Sequence, residues 1–342
     1  MTIRSLDDIR AVLRELPGPD NAAAGKARER EATLVKPPGA LGRLEAIAAW
    51  LSAWQGRHPP VLHRCLAVVF AGSHGVTADG VSAYPAEVTA QMVENFRRGG
   101  AAINQLCALQ GCALKIHDMG VDAPTRNFRT GPAMTEEACA AAFATGMAAL
   151  DGGIDLLCIG EMGIGNTTSA AALSHALYGG APEDWTGPGT GVAGAAFETK
   201  LRVVREAARL HAPAIRDGLD ALRRLGGREL AAMAGAITAA RLAKVPVILD
   251  GYVSCAAAAS LECCQAGALD HCLAGHLSAE PAHRRLLAQL GKEPVLDLGM
   301  RLGEGSGAAV ALGILRAAVA CHAGMATFAE AGVSDRAAGS HG

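Results

Sequence analysis

The chain has 342 residues, half of them apolar, with aromatic residues at only 4% and a net charge of −2. That balance offers no basic field for nucleic acid, and no stretch provides about 20 uninterrupted apolar residues to cross a membrane. The opening MTIRSLDDIR is charged from its start and does not read as a signal peptide, so the expected location is cytoplasmic.

Ten cysteines are scattered, with one adjacent pair (Cys263, Cys264) and no Cys-x-x-Cys. They read as small buried hydrophobes rather than as disulfides or metal ligands. The length exceeds what one core usually holds, and the elements divide accordingly. LDDIRAVLREL and LGRLEAIAAWLSAWQG in the first 60 residues have helical period, as does the C-terminal ALGILRAAVACHAGMATFAEAGV. Residues 1–60 and 313–342 are expected to form a small helical domain, and residues 61–312 a large α/β domain.

Between those ends six short apolar runs recur: LAVVFAG (66–72), ALKIHD (113–118), IDLLCIG (154–160), PVILDG (246–251), CLAGHLS (272–278) and PVLDLG (294–299). Runs apolar on both faces suit buried parallel strands, and their spacing leaves room for crossover helices. The fold class is an open, mostly parallel, Rossmann-like α/β sheet flanked by helices. Ligands of such sheets bind at the carboxyl ends of strands. Those ends carry Ser73–His74, Asp118, Glu161, Asp250–Gly251, Ser278–Glu280 and Arg301–Glu304.

Three stretches carry candidate chemistry. In GEMGIGNTTSAAAL (160–173), Gly163 and Gly165 flank Ile164, and Asn166, Thr167 and Thr168 are helix-capping residue types. This reads either as an anion cradle at a helix N-terminus or as tight strand-to-helix packing; no Gly-Lys-Ser/Thr follows, so it is not a Walker A loop. GPGTGVAGAAFETK (187–200) supplies Gly189, Thr190 and Gly191 before a helix with Phe197, Leu201 and Val204 as its apolar stripe. Lys200 sits at the edge of that stripe, as a snorkelling lysine or as a phosphate partner. In GVSAYPAEVTAQMVENF (80–96), Pro85 suits a first helical position, and Tyr84, Val88 and Gln91 then share a face. That face is core packing or a site for a flat ligand. His74 and His276 read as structural, and no His/carboxylate spacing calls for a metal.

GMRLGEGSGAAVAL (299–312) sets Glu304 inside a glycine run of the kind that usually cradles phosphate, where a carboxylate would repel an anion. Its GEGSGAAVAL echoes GEMGIGNTTSAAAL: Gly-Glu, a Gly-x-Gly, then a small-residue helix start.

Together these stretches resemble the nicotinate-nucleotide–dimethylbenzimidazole phosphoribosyltransferase family of the cobalamin lower-ligand pathway. The likeness runs in order through KPPGALGRLE (36–45), SHGVTADGVSAYPAEVTAQM (73–92), GEMGIGNTTSAAAL, GPGTGV (187–192), LDGYVS (249–254), HLSAEPAH (276–283) and LDLGMRLGEGSGA (296–308). One departure is Ser73-His74-Gly75, where the family usually reads Asp-His-Gly.

The resemblance implies transfer of the 5-phosphoribosyl group of nicotinate mononucleotide to 5,6-dimethylbenzimidazole, giving α-ribazole 5′-phosphate and nicotinate. It implies Glu304 as the base that takes the proton from the benzimidazole, and Glu161 as a second carboxylate of the site. It places phosphate and ribose at Gly163, Ile164, Gly165, Asn166, Thr167, Gly189, Thr190, Gly191 and Lys200, and the benzimidazole at Tyr84, Val88, Gln91 and Leu302. No metal and no cofactor are called for, and a homodimer is implied. Rival readings are a nucleotide phosphohydrolase on the same loops and a non-catalytic nucleotide sensor.

Overall fold

Six strands form one all-parallel sheet in the order β2-β1-β3-β4-β5-β6. They are β1 (Cys65–Ala71), β2 (Ala113–Asp118), β3 (Leu156–Met162), β4 (Val247–Leu249), β5 (Cys272–His276) and β6 (Pro294–Leu296). The computed structural model describes residues 2–150 and 152–334. Each of the six apolar runs contains one strand, and β1 and β3, the long central pair, are almost wholly buried. Helices occupy the crossovers, which the parallel pairing requires.

The Ala- and Gly-rich composition has its use in the helix layer. Glu136–Ala148 packs on Arg228–Leu242 through two glycines. A Cβ on Gly146 would sit 1.8 Å from the Ala232 carbonyl oxygen, and one on Gly235 would sit 2.0 Å from that of Phe143. The backbones touch where a side chain would otherwise separate them.

The chain divides into two units: residues up to Pro17 with Arg64–Leu312, and Gly18–His63 with residues from Gly313 on. This corrects the expected grouping of residues 1–60. The helix Leu6–Arg14 is present, started by a Ser5 capping box, but its buried face of Leu6, Ile9, Val12 and Leu13 joins the core of the sheet unit. Periodicity placed the helix; it could not say which core receives it.

The second unit contains Asn21–Thr33, Arg43–Gln55 and Phe328–Ala331. The first of these helices has no apolar stripe in sequence, since it buries only Ala23, Ala24, Ala27 and Glu31. Its anchor is polar. Lys36 Nζ lies 3.0 Å from Glu31 and 2.8 Å from Glu45, and Glu31 also meets His322 Nδ1 at 2.7 Å.

The helix Ser306–Gly324 is long and apolar enough by composition to cross a membrane. Arg316 interrupts it, donating to the Leu62 carbonyl at 2.8 Å, and Ala308, Ala309, Ala311 and Leu312 are fully buried. These are properties of a core helix of a folded domain. Of the ten cysteines, seven are buried and all are free thiols.

Candidate active site

A cleft opens over the carboxyl ends of β3, β4, β5 and β6. From β3 and its loop come Glu161, Gly163, Ile164, Asn166 and Thr167; Gly189 and Thr190 face them. Tyr252 follows β4, Ser278 and Glu280 follow β5, and Arg301, Leu302 and Gly303 follow β6.

The glycine loops are less bare than their sequence suggests. Ile164 donates its amide to Thr89 Oγ1 at 3.1 Å, Gly191 donates to the Pro188 carbonyl at 3.0 Å, and Gly189 donates to the Glu280 carboxylate. Gly165 has φ +92° and forms the left-handed entry to the helix Asn166–Tyr178. Asn166 does not cap that helix. Its side-chain amide turns back and donates to Glu161 Oε2.

Lys200 is completely buried, which corrects the snorkelling alternative. Its helix, Ala195–His211, points the ammonium inward to Thr167 Oγ1 at 2.9 Å and the Gly187 carbonyl at 2.8 Å. The lysine therefore joins the two glycine-rich loops. Burial draws its pKa down to about 8, against the opposing pull of Glu280.

Glu304 has φ +65° between Gly303 at +86° and Gly305 at +83°. Three successive left-handed residues explain the glycines: they let the chain fold sharply, and strain of this kind at a non-glycine residue concentrates at functional sites. The Glu304 amide donates to the Glu161 carbonyl at 3.2 Å, so the two Gly-Glu stretches lie directly against each other. The Glu304 side chain is 5% exposed, and its Oε2 is buried with no hydrogen-bond partner.

Three carboxyls are pushed toward their neutral forms. Burial raises Glu161 to about 8, with the nearby Asp250 adding to the shift and Asn166 opposing it. Burial raises Asp250 to about 7, although the Gly305 and Ala308 amides donate to it at 3.1 and 3.0 Å. Burial also raises Glu304, with Asp250 contributing. Burial thus favours the neutral, hydrogen-bonding form of Glu161.

The flat-ligand face differs from its expected geometry. Tyr84 lies in a bend before the helix Val88–Arg97, and Pro85 precedes that helix rather than opening it. Tyr84 and Gln91 are exposed, and Val88 is half-buried. None of the three lines the cleft, whereas Leu302, 59% exposed, does. The bond from Ile164 to Thr89 still ties the start of that helix to the cleft wall. Gly165, Lys200 and Glu304 are buried outside the lining, and Gly191 is exposed outside it.

His74 is buried and paired with Glu229, and Ser73 donates to the Val121 carbonyl at 2.7 Å, outside the cleft lining. Asp250, Tyr252, Ser278, Glu280 and Arg301 were not among the candidate site residues, although all but Tyr252 stand at the strand ends already marked in the sequence. Among the described residues no group of three His, Cys, Asp or Glu side chains is arranged to hold a metal ion.

An open parallel sheet with an interior lysine between two glycine-rich loops, and carboxyls over the strand ends, defines a nucleotide-handling α/β enzyme. A family model described as phosphoribosyltransferase matches residues 16–333. A nicotinate-nucleotide–dimethylbenzimidazole phosphoribosyltransferase from Sinorhizobium medicae is 61% identical over 330 residues, covering 96% of this chain and 97% of that one. Its counterpart from Brucella canis is 59% identical over 328 residues, with the same coverage. The crystal structure of CobT from Thermus thermophilus superposes with a TM-score of 0.87 at 45% identity, covering 92% of this chain and 99% of that one. The chain belongs to the nicotinate-nucleotide–dimethylbenzimidazole phosphoribosyltransferase family.

Proposed function

We propose that this enzyme transfers the 5-phosphoribosyl group of nicotinate mononucleotide to 5,6-dimethylbenzimidazole, with Glu304 as the base. The bond between C1′ and the pyridinium nitrogen breaks as a bond from a benzimidazole nitrogen to C1′ forms. The donor ring is cationic and leaves as neutral nitrogen, so its departure needs no acid. The attacking ring becomes cationic, and its other N–H becomes acidic. Glu304 takes that proton. One in-line displacement inverts a β-linked donor to an α-linked product.

The observation that carries this reading is Glu304 Oε2, buried without a partner on a left-handed turn beside the cleft. The Ile103 amide donates to this carboxylate and opposes the rise in its pKa, while Oε2 is left as an acceptor open to a further donor. In this reading phosphate and ribose lie along Gly163–Thr167, Gly189–Gly191 and Lys200, which keeps the anion away from the base. The benzimidazole rests on Leu302; Tyr84, Val88 and Gln91, which stand outside the cleft lining, are its further contacts only by the family resemblance. Glu161, protonated, supports the loop and the ring or ribose from below. The enzyme works as a cytoplasmic homodimer, as its family resemblance implies.

Incubation with nicotinate mononucleotide, with and without dimethylbenzimidazole, tests the function. Nicotinate release that requires the base, matched by α-ribazole 5′-phosphate, is expected. Nicotinate or phosphate released without the base identifies a hydrolase, and no release at all identifies a sensor.

A further inference from the structure

Glu280 stands at the N-cap position of the helix Pro281–Gln289, yet its side chain does not cap that helix. The carboxylate turns instead to the Gly187–Gly191 loop, where the Gly189 amide donates to its two oxygens at 3.3 and 3.2 Å. A Cβ on Gly187 would lie 1.7 Å from Glu280 Oε1, so glycine there is what admits the carboxylate. The residue is 5% exposed and lines the cleft, and its own amide donates to Ser278 Oγ at 3.2 Å. A Cβ on Gly189 would meet Thr167 Oγ1 at 2.6 Å and Lys200 Nζ at 2.9 Å. Gly189 therefore sits beside an ammonium and a hydroxyl while its amide is held by a carboxylate. Loops of this kind present such amides to a phosphate; here a negative group of the chain itself occupies one.

We infer that Glu280 is a resident anion of the phosphate site, holding the Gly189 amide when the site is empty and displaced from it by the phosphate of the nucleotide. The inference rests on reading Lys200 and its two loops as that site. It explains how the loop keeps an anion-binding shape without a ligand. It also has a kinetic rationale. The phosphate is carried by substrate and product alike, so gripping it harder would lower KM without speeding chemistry and would slow product exit. A built-in competitor weakens both complexes equally. The same carboxylate favours the charged form of the buried Lys200.

The test compares wild type, Glu280→Gln and Lys200→Ala near pH 6.5, about 1.5 units below the value of about 8 for Lys200. Two quantities are read: the inhibition constant of inorganic phosphate against nicotinate mononucleotide, and equilibrium binding of that nucleotide without the base. Glutamine keeps an acceptor for the Gly189 amide and removes the charge. Glu280→Gln should bind both ligands more tightly, by about tenfold or more, as relief of a like-charge contact requires. Glu280→Ala should change in the same direction if the glutamine variant does not fold. Lys200→Ala should bind both more weakly. Weaker binding in Lys200→Ala together with unchanged or weaker binding in the Glu280 variants overturns the role of Glu280 alone. Unchanged binding in Lys200→Ala overturns the phosphate-site reading, and this inference with it.

Discussion

The Glu304 amide donates to the carbonyl oxygen of Glu161 at 3.2 Å. With the Gly305 amide donating to Asp250 at 3.1 Å, this bond fastens a left-handed turn to the ends of two central strands and limits where the Glu304 carboxylate can be. A carboxylate on a free loop would sample many positions and stay solvated. Tied to β3 and buried, it is desolvated and aimed, which a general base requires.

Glu304→Gln should leave both substrates bound and remove most turnover, by about 10²–10⁴-fold. In the wild type, burial and Asp250 raise the Glu304 pKa above that of an ordinary glutamate. Only the ionised form accepts a proton, so kcat should fall as pH falls through that raised value. The measurement is kcat against pH with saturating dimethylbenzimidazole, corrected for protonation of the base itself. A variant within about threefold of wild type would rule Glu304 out, since base loss costs far more.

Gly160→Ala tests the fastening directly. A Cβ there would lie 2.4 Å from the Gly305 amide nitrogen and 2.6 Å from the Glu304 carbonyl carbon. Backbone must move, at a cost of about 1–3 kcal/mol of stability. Turnover should drop by more than about tenfold, while nucleotide KM, set by the other loops, stays close to wild type. Equal losses in both parameters would show that the strand does not position the base separately.

Lys200→Ala should raise KM for the nucleotide with a smaller effect on kcat, because the phosphate is present in ground and transition states alike. One charge-assisted hydrogen bond is worth about 1.5–3 kcal/mol. The wild type adds a pH signature. Lys200 is charged below its value of about 8 and neutral above it, so nucleotide binding should weaken as pH rises through about 8. A pH-independent KM across that range in the wild type would count against the assignment.

Glu161→Gln should change stability in a pH-dependent way. The carboxyl pKa rises from 4.5 to about 8 on folding, chiefly through burial. Folding thus favours the protonated form. The wild type should match the glutamine variant near pH 4.5 and lose stability relative to it progressively as pH rises toward about 8. Thermal unfolding of both proteins across that range checks the sign. A gap that stays constant would mean that Glu161 ionises freely in the fold.

Turnover should survive exhaustive treatment with EDTA. The cationic pyridinium already supplies the leaving-group activation that a divalent ion would otherwise provide. Loss on chelation, restored by one divalent ion, would favour the hydrolase reading.

The sequence determined the local and periodic features of this protein. Six apolar runs marked six strands; burial on both faces leaves no polar alternation in the central β1 and β3, while β2 and β6 at the sheet edges are only partly buried. Glycines at 303 and 305 marked a turn that only they tolerate. Strand ends marked where ligands meet the sheet. Tertiary structure decided everything set by what a side chain faces. Helical spacing left Lys200 at the edge of a stripe, and packing buried it against Thr167 and Gly187. Helical spacing puts Tyr84 on one face with Val88 and Gln91, but the chain bends before that helix begins. Loop amides that sequence would assign to phosphate are held elsewhere: that of Ile164 by Thr89, that of Gly191 by Pro188 and that of Gly189 by Glu280. The first helix was legible from its period, yet its apolar face docks on the sheet unit. The reason is shared by Lys200, Gly189 and the first helix. Periodicity and turn chemistry depend on neighbours a few residues away, whereas burial, hydrogen-bond partnership and a shifted pKa depend on atoms that arrive from 30 or 90 positions along the chain, as Thr167 does for Lys200 and Glu280 for Gly189.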